Sequence, residues 1–187
     1  LNESTTNEQS TISDIEAYED IMRVLSQSSE PVTLLFTGPL TDLAKALKIE
    51  PSIQNNIEKL VWMGGTFLEK GNVEEPEHDG TAEWNAFWDP DAVKTVFDSE
   101  IAIDMVALES TNQVPLTLDI RQMWADERQY PGVDFLGVSY AALPPLTHFI
   151  TNSTYFLWDV LTTAYIGKPD LVQYKSLNVD VEFKGPS

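Results

Sequence analysis

No cysteine occurs in the 187 residues. That excludes a disulfide framework and any thiolate-bound metal, and it leaves the redox compartment open. Positive charge is scarce: 11 Lys and Arg stand against 30 Asp and Glu, a formal net charge of −19. A chain this acidic repels phosphate backbones, so nucleic acid is a poor partner, and anionic lipid is no better. Neutral substrates, cations and metal ions suit this field, although solubility alone also explains the charge. No apolar run reaches the roughly 18 residues that a membrane-spanning helix requires. Residues 1–13 are polar and rich in Ser, Thr, Asn and Glu. They carry neither the layout of a secretory leader nor an initiator methionine. With no targeting segment visible, the compartment is unassigned and the cytoplasm is the default.

What is present reads as one globular domain over residues 1–187, with 42% hydrophobic and 22% charged residues. Ile15, Tyr18, Met22 and Leu25 share one helical face and predict a helix over 13–27. The continuous apolar run 32–37 predicts a buried strand. Gly38-Pro39 turns the chain, and Leu40, Leu43, Ala44 and Leu47 mark a short helix that ends before Pro51. A second buried strand is expected at 60–63, stopped by Gly64-Gly65, then a long polar loop over 66–84. Pro90 opens a helix to Phe97, and 101–108 reads as a third strand. Further helices are expected near 116–128, 137–150 and 153–165, and a strand near 179–183. Strands alternating with helices predict an α/β fold, a mostly parallel sheet flanked by helices. In such folds ligands sit beyond the C-terminal strand ends.

The densest chemistry lies in Gly71-Asn72, Glu83-Trp84-Asn85 and Asp89-Pro90. Carboxamides and a carboxylate suit vicinal hydroxyls, each of which both donates and accepts. An ordinary surface loop would use the same residues for turns and solvation. Asp89 before Pro90 also fits a helix N-cap. The run Glu74-Glu75-Pro76-Glu77-His78-Asp79 reads as a solvated loop tip. Asp159 stands inside the apolar run 155–161, where an unpaired carboxylate is costly. It could cap a helix, pair with a lysine or bind a hard cation; Trp158 beside it also fits core packing.

Taken in order, Thr37-Gly38-Pro39-Leu40-Thr41-Asp42-Leu43-Ala44, Met63-Gly64-Gly65, Gly71-Asn72, Ala82-Glu83-Trp84-Asn85, Asp89-Pro90-Asp91-Ala92 and Trp158-Asp159 resemble the inosine-uridine nucleoside hydrolases. Each piece alone is weak; the ordered set is specific and reaches from Thr37 to Asp159. The resemblance implies a Rossmann-like nucleoside hydrolase fold and hydrolysis of ribonucleosides to ribose and free base. It implies calcium, bound by the Thr37 carbonyl and Asp159, with oxygen-only ligation. It places Asn72, Glu83 and Asn85 on the ribose as the ring flattens towards an oxocarbenium ion. Many members carry His where this chain has Trp158, and Trp resembles the purine-preferring branch, where an indole stacks on the base. Family members commonly form dimers or tetramers, so a homo-oligomer is an open expectation.

The family's opening Asp-x-Asp-x-Gly-x-Asp-Asp motif, which supplies further calcium ligands and the base, is absent from these residues. No catalytic residue is therefore assigned. The domain is expected to be incomplete at both ends, without its Asp-rich strand and its C-terminal end. Asp104, Glu109 and Asp119 stay open as substitute carboxylates. The alternative to an enzyme is a non-catalytic fragment or ligand-binding module of the same fold.

Overall fold

Three apolar runs become three parallel strands: β1 (Val32–Phe36), β2 (Ile57–Met63) and β3 (Ile103–Val106), in the order β1-β2-β3. The computed structural model describes residues 14–68, 70–142 and 155–181. Register places Phe36 beside Trp62 and Met63 beside Val106, so the C-terminal strand ends lie in one row. Thr37, Gly64 and Ala107 follow those ends directly.

The helices are α1 (Ala17–Gln27), α2 (Thr41–Ile49), α3 (Trp84–Trp88), α4 (Pro90–Phe97), α5 (Leu108–Thr111), α6 (Leu118–Asp126), α7 (Pro131–Ala142) and α8 (Trp158–Gly167). Period-two alternation sends Leu60 and Trp62 to one face of the sheet and Val61 to the other. The first face packs under α1, α2 and α4, where Leu25, Leu43, Ala46, Leu47, Val93 and Val96 are buried with Leu60 and Trp62. The second face holds Val61, Val106 and Tyr165 against Leu161. Helix α8 covers it, with Val172 from the segment that follows.

Central β2 is buried from Leu60 to Met63, as its apolar run requires, and it starts earlier, at Ile57. The expectation of burial fails for β1: none of its residues is fully buried, and Leu35 is 39% exposed. Among the described residues β1 pairs with β2 alone. Val32, Leu34 and Phe36 turn to the first core, and Leu35 lies beside Val61 on the second face but outside its buried cluster.

Helix α4 coincides with its expected bounds, and Pro90 opens it. Helix α1 starts at Ala17 rather than 13. A 3-10 segment (Pro51–Asn56) and the short α3 carried no periodic signal long enough to mark them. Strand β3 is shorter than expected because 107 onward turns into α5. Helix α7 begins at Pro131 instead of 137, and positions 143–150 lie outside the described residues, as do 151–154 before α8. No strand forms at 179–181, and 182–183 fall outside the described residues. Among the described residues no helix is long and apolar enough to cross a membrane.

Candidate active site

The end of β2 is held by carboxylates. Gly65 adopts φ +71, a left-handed turn that suits glycine, and its N–H donates to Glu83 Oε2 at 2.7 Å. The same oxygen accepts from Ala86 N at 3.1 Å, and Oε1 accepts from Asn85 N at 3.0 Å. Glu83 is therefore the N-cap of α3 and the clamp on the β2 turn, and it is 2% exposed. Burial pushes its carboxyl upward; the three amide bonds oppose this, and the charge of Asp159 adds to it.

Asn72 and Asn85 join the same knot. Asn72 Oδ1 accepts from Trp84 N at 3.0 Å, and Asn85 Nδ2 donates to the Met63 carbonyl at 2.9 Å. Gly71 makes this closeness achievable, with Gly71 N donating to Gly80 O at 2.7 Å and Asn72 N to Ala82 O at 2.9 Å. The structure thus brings Asn72, Glu83 and Asn85 together at the C-terminal end of β2. It gives Glu83 a structural task that the sequence did not show. A carboxylate has about four acceptor positions, so one on Oε1 is unused among the described residues, as are Asn72 Nδ2 and Asn85 Oδ1.

Trp158 and Asp159 form the first turn of α8. The Asp159 carboxylate has no ion pair or hydrogen bond among the described residues, and desolvation pushes it upward. Its charge acts on Glu83 and on Tyr140, which brings α8 to the same end of the sheet. An aromatic wall stands beside it: Tyr155 meets Trp158 edge-on at 4.8 Å, and Tyr140 meets Tyr155 at 5.8 Å. The Tyr140 phenol is pushed well up by burial and by Tyr155. The buried Trp158 Nε1 has no partner among the described residues. Tyr140 and Tyr155 were missed in the sequence; the signal was the aromatic density just before Trp158.

The remaining carboxylates have other work. Asp89 caps α4 through Ala92 N at 2.9 Å and accepts from Thr41 Oγ1 at 2.7 Å. Asp104 binds Lys59 at 2.8 Å, and Asp119 lies exposed on α6. Glu109 Oε1 accepts from Thr66 Oγ1 at 2.5 Å and from the amides of Phe67 and Leu68, each at 3.0 Å. Asp104 and Glu109 are thus engaged with neighbours of their own, while Asp119 faces solvent. Glu74, Glu75, Glu77 and Asp79 are exposed on the loop tip. Two cavities, about 270 Å³ between α6 and α7 and about 490 Å³ along the outer edge of β3, are lined by none of Asn72, Glu83, Asn85 and Asp159.

Glu109 yields a pH prediction. Desolvation opposes its ionisation, yet the Thr66, Phe67 and Leu68 bonds outweigh it, and its pKa falls below the ordinary 4.5. A depressed carboxyl stabilises above its unfolded pKa and loses that contribution as pH falls through the folded value. Melting temperatures of wild type and Glu109→Gln are expected to converge as pH drops below 4.5. A gap that stays constant with pH contradicts the assignment.

The whole chain, residues 1–187, matches the family model described as inosine-uridine preferring nucleoside hydrolase. This protein belongs to that family. A solved inosine-uridine preferring nucleoside hydrolase from Bacillus anthracis is 59% identical, with TM-score 0.76 over 86% of this chain and 50% of that one. The purine-preferring ribonucleoside hydrolase from Gardnerella vaginalis is 30% identical, with TM-score 0.71 over 93% of this chain and 54% of that one. The non-specific ribonucleoside hydrolase RihC of Escherichia coli is 34% identical over 174 residues, 91% of this chain and 53% of its own. The chain thus spans about half the length of the relatives it matches.

Calcium takes about 6–8 oxygen ligands. Among the described residues no three His, Cys, Asp or Glu side chains gather, and Asp159 with the Thr37 carbonyl falls short of that number.

Proposed function

We propose that this protein hydrolyses the N-glycosidic bond of ribonucleosides, purine ribonucleosides in particular, releasing ribose and the free base. The observation that carries the proposal is the knot of Asn72, Glu83 and Asn85 at the C-terminal end of β2, with Asp159, unpaired among the described residues, near enough for its charge to act on Glu83. One donor, Asn72 Nδ2, and one acceptor, Asn85 Oδ1, suit neighbouring sugar hydroxyls, and the unused position on Glu83 Oε1 adds a second acceptor. The anionic field of Glu83 and Asp159 favours a ribosyl ring that gains positive charge as the bond breaks. Calcium is proposed with it, Thr37 and Asp159 giving two of its ligands; the unpaired carboxylate of Asp159 supports this.

Trp158 directs the choice of base. Its place beside Asp159 and against Tyr155 suits a flat bicyclic ring, and stacking on one aromatic contributes about 1–3 kcal/mol per base. Trp158→Ala is expected to cut inosine turnover roughly 5- to 150-fold, by that energy, and uridine turnover far less. Equal losses on both substrates contradict the purine assignment. The second reading, a binding module without turnover, rests on the absence of the Asp-rich motif from these residues. Incubation with calcium and inosine separates the two: ribose detected as a reducing sugar supports hydrolysis, and binding without release supports the module.

A further inference from the structure

Helix α8 carries Trp158 and Asp159 on its first turn, but its grip on the sheet is six residues further on. Tyr165, 5% exposed, donates its hydroxyl to Asp104 Oδ2 at 2.9 Å. The same oxygen accepts from Lys59 Nζ at 2.8 Å, and that ammonium stands 5.5 Å from the centre of the Tyr165 ring. Strands β2 and β3 and helix α8 therefore meet at one carboxylate oxygen. Desolvation and the Asp104 bond push the Tyr165 phenol upward, so it stays a donor, and Asp104 holds the Lys59 ammonium charged.

We propose that the Lys59–Asp104–Tyr165 contact is a positioning latch that sets where α8 presents Trp158 and Asp159 over the strand ends. A helix rises about 1.5 Å per residue, so the latch acts from roughly 9 Å along a rigid rod. The other end of the rod is fixed separately: Leu157 N donates to Val114 O at 2.8 Å, and Leu116 N to Tyr155 O at 2.8 Å. With residues 155–157 pinned there, losing the latch lets the helix tilt about that bridge, which turns the Trp158 ring and the Asp159 carboxylate away from their set direction. Thr162, fully buried, bonds the Trp158 carbonyl at 3.0 Å and passes such a movement directly to that residue. Neither Tyr165 nor Asp104 touches the sugar-binding knot, so both act through α8. The role rests on the hydrolase reading for its consequence, but its geometry stands apart from it.

The test uses the full chain labelled with 5-fluorotryptophan. Five tryptophans give five fluorine resonances, and Trp158→Phe identifies that of Trp158. Tyr165→Phe and Asp104→Ala are each expected to shift or broaden the Trp158 resonance while that of Trp62, on the opposite face of β2, holds. Asp104→Asn keeps an oxygen for the Tyr165 hydroxyl and is expected to restore the wild-type resonance. If inosine is turned over, Tyr165→Phe is expected to lower kcat/KM about 10- to 100-fold, the cost of a misplacement near 1 Å. Variants that lower the melting temperature yet leave the Trp158 resonance unmoved overturn the latch. A wild type without turnover contradicts the hydrolase reading, and the fluorine spectra still decide the latch.

Discussion

Glu83→Ala is expected to lower the unfolding free energy by about 3–5 kcal/mol, because it strands three amides that share one carboxylate. Gly65 N, Asn85 N and Ala86 N lose their acceptor together, at 2.7, 3.0 and 3.1 Å in the intact protein. The site is 2% exposed, so water replaces the lost bonds poorly. Glu83→Gln is milder: its amide oxygen can keep Gly65 and Ala86, while its NH2 group faces the Asn85 N–H and loses that bond. Urea unfolding with equal slopes measures both. A loss below about 1 kcal/mol for the alanine variant would mean that the clamp is a surface contact, at odds with its burial. Because α3 and the β2 turn are both anchored there, the same variant is expected to lose whatever the knot binds.

The second large effect is steric. A Cβ on Gly71 would lie 1.8 Å from the Ala82 carbonyl oxygen and 2.3 Å from its carbon. These are backbone atoms, and no rotamer change relieves them. Gly71→Ala must push residues 71–73 away from 80–82, breaking Asn72 N to Ala82 O and drawing Asn72 off Trp84. A cost of about 2–3 kcal/mol is expected, at the upper end for overpacking. Gly132→Ala is the control, since nothing lies within 4 Å of its added Cβ. Thermal unfolding of both variants checks the contrast, and equal stability for the two contradicts the tight pairing.

Much of this was legible in the sequence wherever local chemistry decided it. Pro90 after Asp89 announced α4 and its cap, and the structure shows both. The parallel sheet followed from strands alternating with helices. What could not be read was convergence. Nothing in Ala82-Glu83-Trp84 states that the carboxylate will find the amide of Gly65, 18 residues earlier. Glu83 therefore read as a sugar ligand alone, and its hold on three backbone amides stayed hidden. Glu109 hid its role for the same reason, gripping a turn 41–43 residues away. Burial of β1 was misjudged because an apolar run reports composition, whereas exposure depends on which neighbours cover each face. Trp84-Asn85-Ala86-Phe87-Trp88 was too short to show helical period, and its capping carboxylate lay outside the apolar pattern.

The two readings of function share one claim: the knot at the end of β2 holds a ribonucleoside. Calorimetric titration of inosine, with calcium present, into wild type, Asn72→Ala and Asn85→Ala tests it most directly. Saturable binding by wild type, weakened about tenfold or more in each variant by the loss of a buried hydrogen bond, is the expected result. Absence of binding by wild type, or equal affinity in all three proteins, would contradict it.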